Sequence, residues 1–325
     1  MSRWLRLVAA ELLKIGRRRL TWGLLAVLLL ISIQHGRNLR TELLDYRQAQ
    51  TSGVGRFGQG VSREIAAATE ADLSRRMSLP GFLDELWVIT DTWGVFSLII
   101  LACIQAGEEF DQGTGRALLI RGVSRLAWPA AKLAALLAAA GLVWIALALA
   151  NLPVGLWTQA QAIGHVDLSG IDLQRWTGHA VLLVRSWLTT APYLAFAIAA
   201  ATLARGAGPA LALGLGGRFV EMGSIVFGVV LIGMESMGSS ATHALYRVWA
   251  PLHVISFEWS AEVVRTWGHP SWVQPLSPIP ASETTLPLPS PFFDSPLLAV
   301  LGLLGWTVFW LAWATGSLQR RDVSA

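Results

Sequence analysis

The chain has 325 residues, of which 54% are hydrophobic and only 14% charged. An ordinary soluble domain carries about 25% charged residues, so the composition excludes a water-facing globule and points to a chain that lies largely in a bilayer. The net charge is +4, but the basic residues stand beside apolar runs rather than along an aromatic-studded groove. That distribution argues for a membrane surface and against nucleic acid as the partner.

Taken in chain order, residues 1–19 read as an amphipathic helix. At 100° per residue Arg3, Arg6, Lys14 and Arg17 fall within an arc of about 80°, and Trp4, Leu5, Val8, Leu12 and Ile15 within about 100° on another side. Such a helix is expected to lie in the headgroup plane on the cytoplasmic side, the alternative being a helix packed on a cytosolic partner. The first apolar run is Leu20 to Ile33, and residues 20–35 are assigned as the first span. Ser32-Ile33-Gln34-His35 offers no small-x-small cleavage site, so the run is expected to stay as a span and not to be removed as a signal peptide.

Residues 36–85 form the first outer loop. They read as two polar helices, Asn38–Gln50 and Ser62–Met77, broken by the glycine-rich stretch Gly53–Gly60, and together they predict a helical outer cap. Five further apolar runs follow: Leu86 to Gly107, Trp128 to Ala150, Val181 to Leu203, Ala207 to Gly233, and Pro296 to Gly316. A helix needs roughly 20 residues to cross a ~30 Å hydrocarbon core, so spans two to five fall within 86–234 and the sixth within 296–325. Between them, residues 235–295 form a second outer loop with Trp249, Trp259 and Trp267. It turns proline-rich from Pro270, too rich for a helix or an inner strand. The fold class is therefore all-α, with six transmembrane helices.

Lys and Arg near the span ends set the orientation. Arg3, Arg6, Lys14, Arg17, Arg18 and Arg19 precede the first span. Arg116, Arg121 and Arg125 join spans two and three, and Arg320 and Arg321 follow the last. The opposite loops are sparse, with Arg175 alone in one, and Arg247 and Arg265 in the other. Both termini are expected in the cytoplasm.

Charges inside spans are expensive and are functional candidates. Asp91 and Arg185 each lie about five residues from an outer end, roughly 7 Å deep; they either pair or snorkel to the headgroups. Arg218 and Glu221 stand near the middle of the fifth run at i, i+3, on one helical face. They form either a structural pair or part of a wet route. Paired small-residue series, Ala130/Ala134/Ala138, Ala131/Ala135/Ala139, Ala210/Gly214 and Ala212/Gly216, let helix backbones approach.

Catalytic and metal-ligating patterns are lacking. The histidines at 35, 165, 179, 243, 253 and 269 never form H-E-x-x-H, Asp91 has no second intramembrane aspartate, and Cys103 is the single cysteine. No G-x-x-x-x-G-K-[ST] stretch is present, so this chain is expected neither to bind ATP in that manner nor to need a cofactor. An intramembrane enzyme is the weaker alternative, and a membrane scaffold or sensor is another.

The most informative segment is the cytoplasmic elbow at 107–127, Gly107-Glu108-Glu109-Phe110-Asp111-Gln112-Gly113-Thr114-Gly115-Arg116 through Ser124-Arg125, with Lys132 beyond. Acidic residues leave the membrane, Gly113-Thr114 offers a helix start, and arginines alternate with apolar residues. The elbow resembles the first cytoplasmic loop of type-2 ABC exporter permeases. Glu108, Glu109, Gly113, Thr114, Arg116, Leu118, Leu119, Ser124, Arg125 and Lys132 match, whereas Gly115 stands where a bulkier residue is usual. Glu11-Leu12-Leu13-Lys14 near the start, Gly214-Leu215-Gly216-Gly217 with Glu221, and the six-span layout are similar too; the outer loops are not covered. The resemblance implies a permease subunit of a bacterial plasma-membrane exporter. It implies as partners a separate cytosolic ABC ATPase and a second permease, identical or homologous. It also gives Glu108, Glu109, Gly113, Thr114, Arg116, Arg121, Ser124 and Arg125 as residues that couple to the ATPase.

Overall fold

The computed structural model describes residues 3–52, 63–79, 81–85, 89–114, 117, 120, 122–166, 173–235, 260–261, 263–264 and 296–321. Every regular element among them is helical. In chain order these are α1 (Arg3–Arg17), α2 (Arg19–Ser52), α3 (Arg63–Met77) and α4 (Gly81–Asp84). A π-helical turn, Thr90–Gly94, leads into α5 (Val95–Asp111), followed by α6 (Ala127–Ile163), α7 (Leu173–Leu188), α8 (Ala191–Ala204), α9 (Ala207–Glu235) and α10 (Pro296–Arg321).

Among the described residues five stretches are long and apolar enough to cross a membrane: Arg19–Ser52, Thr90–Asp111, Ala127–Ile163, Trp176–Ala204 and Pro296–Gln319. The fifth run of the sequence is also one continuous helix, α9, of 29 residues. It is not among the five. The fourth run is not one helix: it breaks after Leu188, and α8 restarts with a proline in its first turn. Proline is tolerated there because the first turn has no intrahelical acceptor for its missing N–H.

The first run and the first polar helix of the loop are one element. The 34 residues of α2 rise through about 51 Å and the 37 of α6 through about 56 Å, each well beyond a ~30 Å core. The glycine-rich stretch 53–60 lies outside the described residues, as does nearly all of the second outer loop.

The chain divides into two compact units, residues 1–15, 95–139 and 185–325, and residues 16–94 and 140–184. In the first, α8 is the central helix, packed by α5, α9 and α10. It is buried almost all round, from Pro192 to Thr202, as its uniformly apolar sequence requires. Backbones meet closely where α5 crosses α9. A Cβ on Gly107 would lie 2.5 Å from Ala207 Cα, and one on Gly214 would lie 2.7 Å from Cys103 Sγ. The Cys103 thiol points at Ala210 O, 3.3 Å away. Asp111, at the end of α5, accepts the Ala207 N–H at 3.0 Å and so caps α9 from a different helix. Only one series of each small-residue pair is used: Ala131, Ala135 and Ala139 are buried while Ala138 is exposed, and Ala210 and Gly214 are buried while Ala212 and Gly216 are exposed.

In the second unit Arg47 ties the far ends of α2 and α6 to the middle of α3. Its guanidinium donates to Glu70 Oε1 at 2.8 Å and to Ala162 O at 2.7 Å, the latter one of the unpaired carbonyls of the last turn of α6. Gln50 donates to the other Glu70 oxygen.

Candidate functional site

The two lysines among the chain's 25 basic residues, Lys14 and Lys132, meet at one place in the first unit. Lys14 Nζ lies 2.7 Å from Glu11 Oε1 and 2.7 Å from Glu109 Oε1. Lys132 Nζ lies 2.8 Å from Glu11 Oε2 and 2.9 Å from Glu109 Oε1. Each ammonium thus bridges the same two carboxylates, and the quartet is neutral. It draws on three helices: α1 supplies Glu11 and Lys14 one turn apart, α5 supplies Glu109, and α6 supplies Lys132.

The remaining lone pairs are also engaged. Gln105 donates to Glu11 Oε2 at 2.9 Å, and the Trp128 indole donates to Glu109 Oε2 at 2.9 Å. The Lys132 ammonium lies 5.1 Å from the centre of the Trp128 ring, whose edge meets Phe110. The side chains of Lys132 and Glu11 are 1% and 2% exposed, whereas that of Lys14 is 44% exposed. Burial pulls the Lys14 ammonium down, but its bonds to Glu109 and Glu11 outweigh it and hold the group above its ordinary value. Buried charges persist only where pairing and hydrogen bonds make good the lost hydration, and this set meets both conditions.

The amphipathic reading of α1 changes accordingly. Ile15, toward the C-terminal end of its apolar face, is buried with Glu11, while Trp4 and Leu5, at the N-terminal end of the same face, remain exposed. The last turns of the helix pack on its own protein, and its first turn stays open.

The elbow residues divide in the same way. Glu109 is buried in the quartet, so its carboxylate is not offered to a partner. The Thr114 hydroxyl donates to Glu109 O at 3.3 Å. Ser124 Oγ accepts the Ala127 N–H at 3.1 Å and so satisfies the first N–H of α6. Gly113 and Gly122 take positive φ, 67° and 82°, and turn the chain where other residues would be strained. Glu108 and Arg125 are partly exposed, Gly113 and Thr114 exposed, and the apolar Ile120 and Leu126 are 78% and 58% exposed. Arg116 and Arg121 lie outside the described residues.

Of the charges that the sequence places within apolar runs, Arg218 and Glu221 do pair. Arg218 Nη1 donates to Glu221 Oε2 at 2.8 Å and to the Tyr193 hydroxyl at 3.0 Å, with the guanidinium 5.0 Å from the centre of the Tyr193 ring. Tyr193, on α8, is a third member that spacing within one helix could not disclose. Asp91 is buried in the π-helical turn of the second unit, and Arg185 stands in the part of α7 that belongs to the first. Among the described residues no group of three or more His, Cys, Asp or Glu is placed to hold a metal ion.

The sequence alone marks Glu109 as a surface contact and gives no spacing that groups it with Glu11, Lys14 and Lys132. The available signal was the scarcity of lysine beside 23 arginines. A search of protein-family models and of curated proteins finds no match to this chain.

Proposed function

We propose that this chain is the membrane-spanning permease subunit of a bacterial ABC exporter, with no catalytic role of its own. In this reading α9 is the fifth of six spans, both termini are cytoplasmic, and the far ends of α2 and α6 with α3 form a cap outside the plasma membrane. The resemblance of the elbow to type-2 ABC exporter permeases supports it.

The quartet is the observation that carries the reading furthest. A neutral, largely buried set of ions fastens an amphipathic surface helix, α1, to the base of the elbow and to the start of α6. A push on the exposed face of the elbow, Gly113, Thr114, Ile120 and Arg125, would then move α1, α5 and α6 together instead of deforming a loop. Such a rigid joint suits coupling to a cytosolic ATPase, with a second permease, identical or homologous, completing the route. Co-purification is the test. The tagged chain, extracted in mild detergent, should bring down a Walker-motif ATPase encoded beside it, and its own presence should raise that ATPase's turnover. Extraction alone, with no ATPase bound after chemical cross-linking in the membrane, would leave the scaffold or sensor reading in its place.

A further inference from the structure

In the second unit the segment around α4 is built as a wedge with its own fastening. Phe82, 2% exposed, inserts between α2 and α6 at two glycines. A Cβ on Gly155 would lie 2.8 Å from the Phe82 ring, and one on Gly36 would lie 3.3 Å from the ring and 2.8 Å from Thr158 Oγ1. Neither position accepts a larger residue while the ring is seated. Three residues on, Arg76 donates to both oxygens of Glu85, at 2.6 and 2.9 Å, and His35 Nε2 lies 3.2 Å from Glu85 Oε2. With only four residues, α4 has too few internal bonds to hold its own shape, so these contacts fix it.

The wall of α6 at the slot is polar. Thr158 Oγ1 and Asn151 Oδ1, seven residues apart on one helical face, belong to fully buried residues, and among the described residues neither has a hydrogen-bond partner. A seam that served only to stay shut would be lined with apolar groups, because each buried unpaired oxygen disfavours closure. The closed state is thus fastened by ions and opposed by its own lining.

We propose that Phe82 is a releasable plug, latched by Glu85 to Arg76 and His35, and that its release opens the seam between α2 and α6 at Gly36, Gly155 and Thr158 to water. This goes beyond the transport reading and is tested without it. The probe is the labelling rate of Thr158→Cys by a water-soluble maleimide in detergent-purified protein. Native Cys103, fully buried in the first unit, reports loss of the overall fold. Adding Glu85→Ala should speed labelling at position 158 at least ten-fold while Cys103 stays protected. Unchanged labelling overturns the proposal. If Glu85→Ala exposes Cys103 as well, the milder Arg76→Lys, which keeps the charge but not the paired bonds, makes the comparison. A selective rise at 158 in that variant supports the plug; no rise, or an equal rise at Cys103, overturns it.

Discussion

Lys132 Nζ and Glu11 Oε2 stand 2.8 Å apart on side chains almost wholly withdrawn from solvent, although 121 residues separate them in the chain. The pair fixes an N-terminal surface helix onto the third long helix, and Glu109 closes the set from between them in sequence. Removing Lys132 leaves two carboxylates sharing the Lys14 ammonium, and an uncompensated buried charge typically costs about 3–5 kcal/mol. Lys132→Met alone should therefore lower the detergent melting temperature sharply. Lys132→Met with Glu11→Leu should recover most of the loss, because the charges leave together. Additive losses in the double variant would mean that the two residues act independently.

The division of the elbow into buried and exposed members gives a second contrast. Glu109→Arg places a cation against Lys14 and Lys132 and should reduce folded protein. Arg125→Glu and Arg116→Glu should leave membrane levels near normal and instead uncouple ATP hydrolysis from export, since charge reversal at an interface typically costs several kcal/mol. Quantitative blotting beside a transport assay separates the two classes. Normal export with Arg116→Glu and Arg125→Glu together would remove the elbow from the coupling path.

Acid provides a third measurement. Burial pushes the Glu85 carboxyl up, but bonds from His35 and Arg76 overcome it and hold the group at about 2. A depressed carboxyl contributes stability above its unfolded value, near 4.3, and loses it as pH falls toward the folded value. The shift corresponds to about 3 kcal/mol at neutral pH. Glu85→Gln should accordingly melt well below the parent at pH 6, and the gap should narrow as pH drops from about 4.5 toward 3. A gap that stays constant across that range would show that the carboxylate's ion pairs contribute nothing.

Orientation is open to labelling, with the buried Cys103 giving little background. Cysteines at Ser2 and Ser324 should react only with reagent that reaches the cytoplasm, and those at Ser52 and Ser282 with reagent added outside intact cells. Outside labelling of Ser2→Cys would reverse the assigned topology.

The helices were legible because an apolar run of some twenty residues has few alternatives to a helix in a bilayer. Two boundaries were not. Gln34-His35-Gly36 reads as the end of a span, yet the residues that follow, rich in Arg, Leu, Glu and Gln, are good helix formers without a proline, so α2 runs on to Ser52. The break between α7 and α8 had a visible cause in Pro192, hidden inside an otherwise uniform apolar run. The quartet was harder to see. Glu109 sits among Glu108 and Asp111 and looks like a solvated cluster, and only the tertiary approach of α1 and α6 turns it inward. Pattern within one helix also explains the success at Arg218 and Glu221, and the failure to find Tyr193 on the neighbouring helix.

That last trio supports a test in which folding and transport can part company. Arg218 lies eleven residues into α9, about 17 Å along it, and placing arginine near a bilayer centre costs roughly 2.5–3.5 kcal/mol on insertion scales. Glu221 and the Tyr193 hydroxyl offset part of that through the bonds at 2.8 and 3.0 Å. Glu221→Gln should leave Arg218 without its counter-charge and lower the yield of folded protein. Tyr193→Phe, which removes one hydrogen bond and keeps the ring, should do so by only about 1–3 kcal/mol. Arg218→Leu with Glu221→Leu should restore the yield, because apolar residues suit that depth. Export then separates the two roles: a double variant that folds and transports marks a structural pair, and one that folds without transporting places the pair on the substrate's route. Single variants indistinguishable from the parent in both assays would mean that the charges sit in a wet position, which the 3% exposure of the Arg218 side chain argues against.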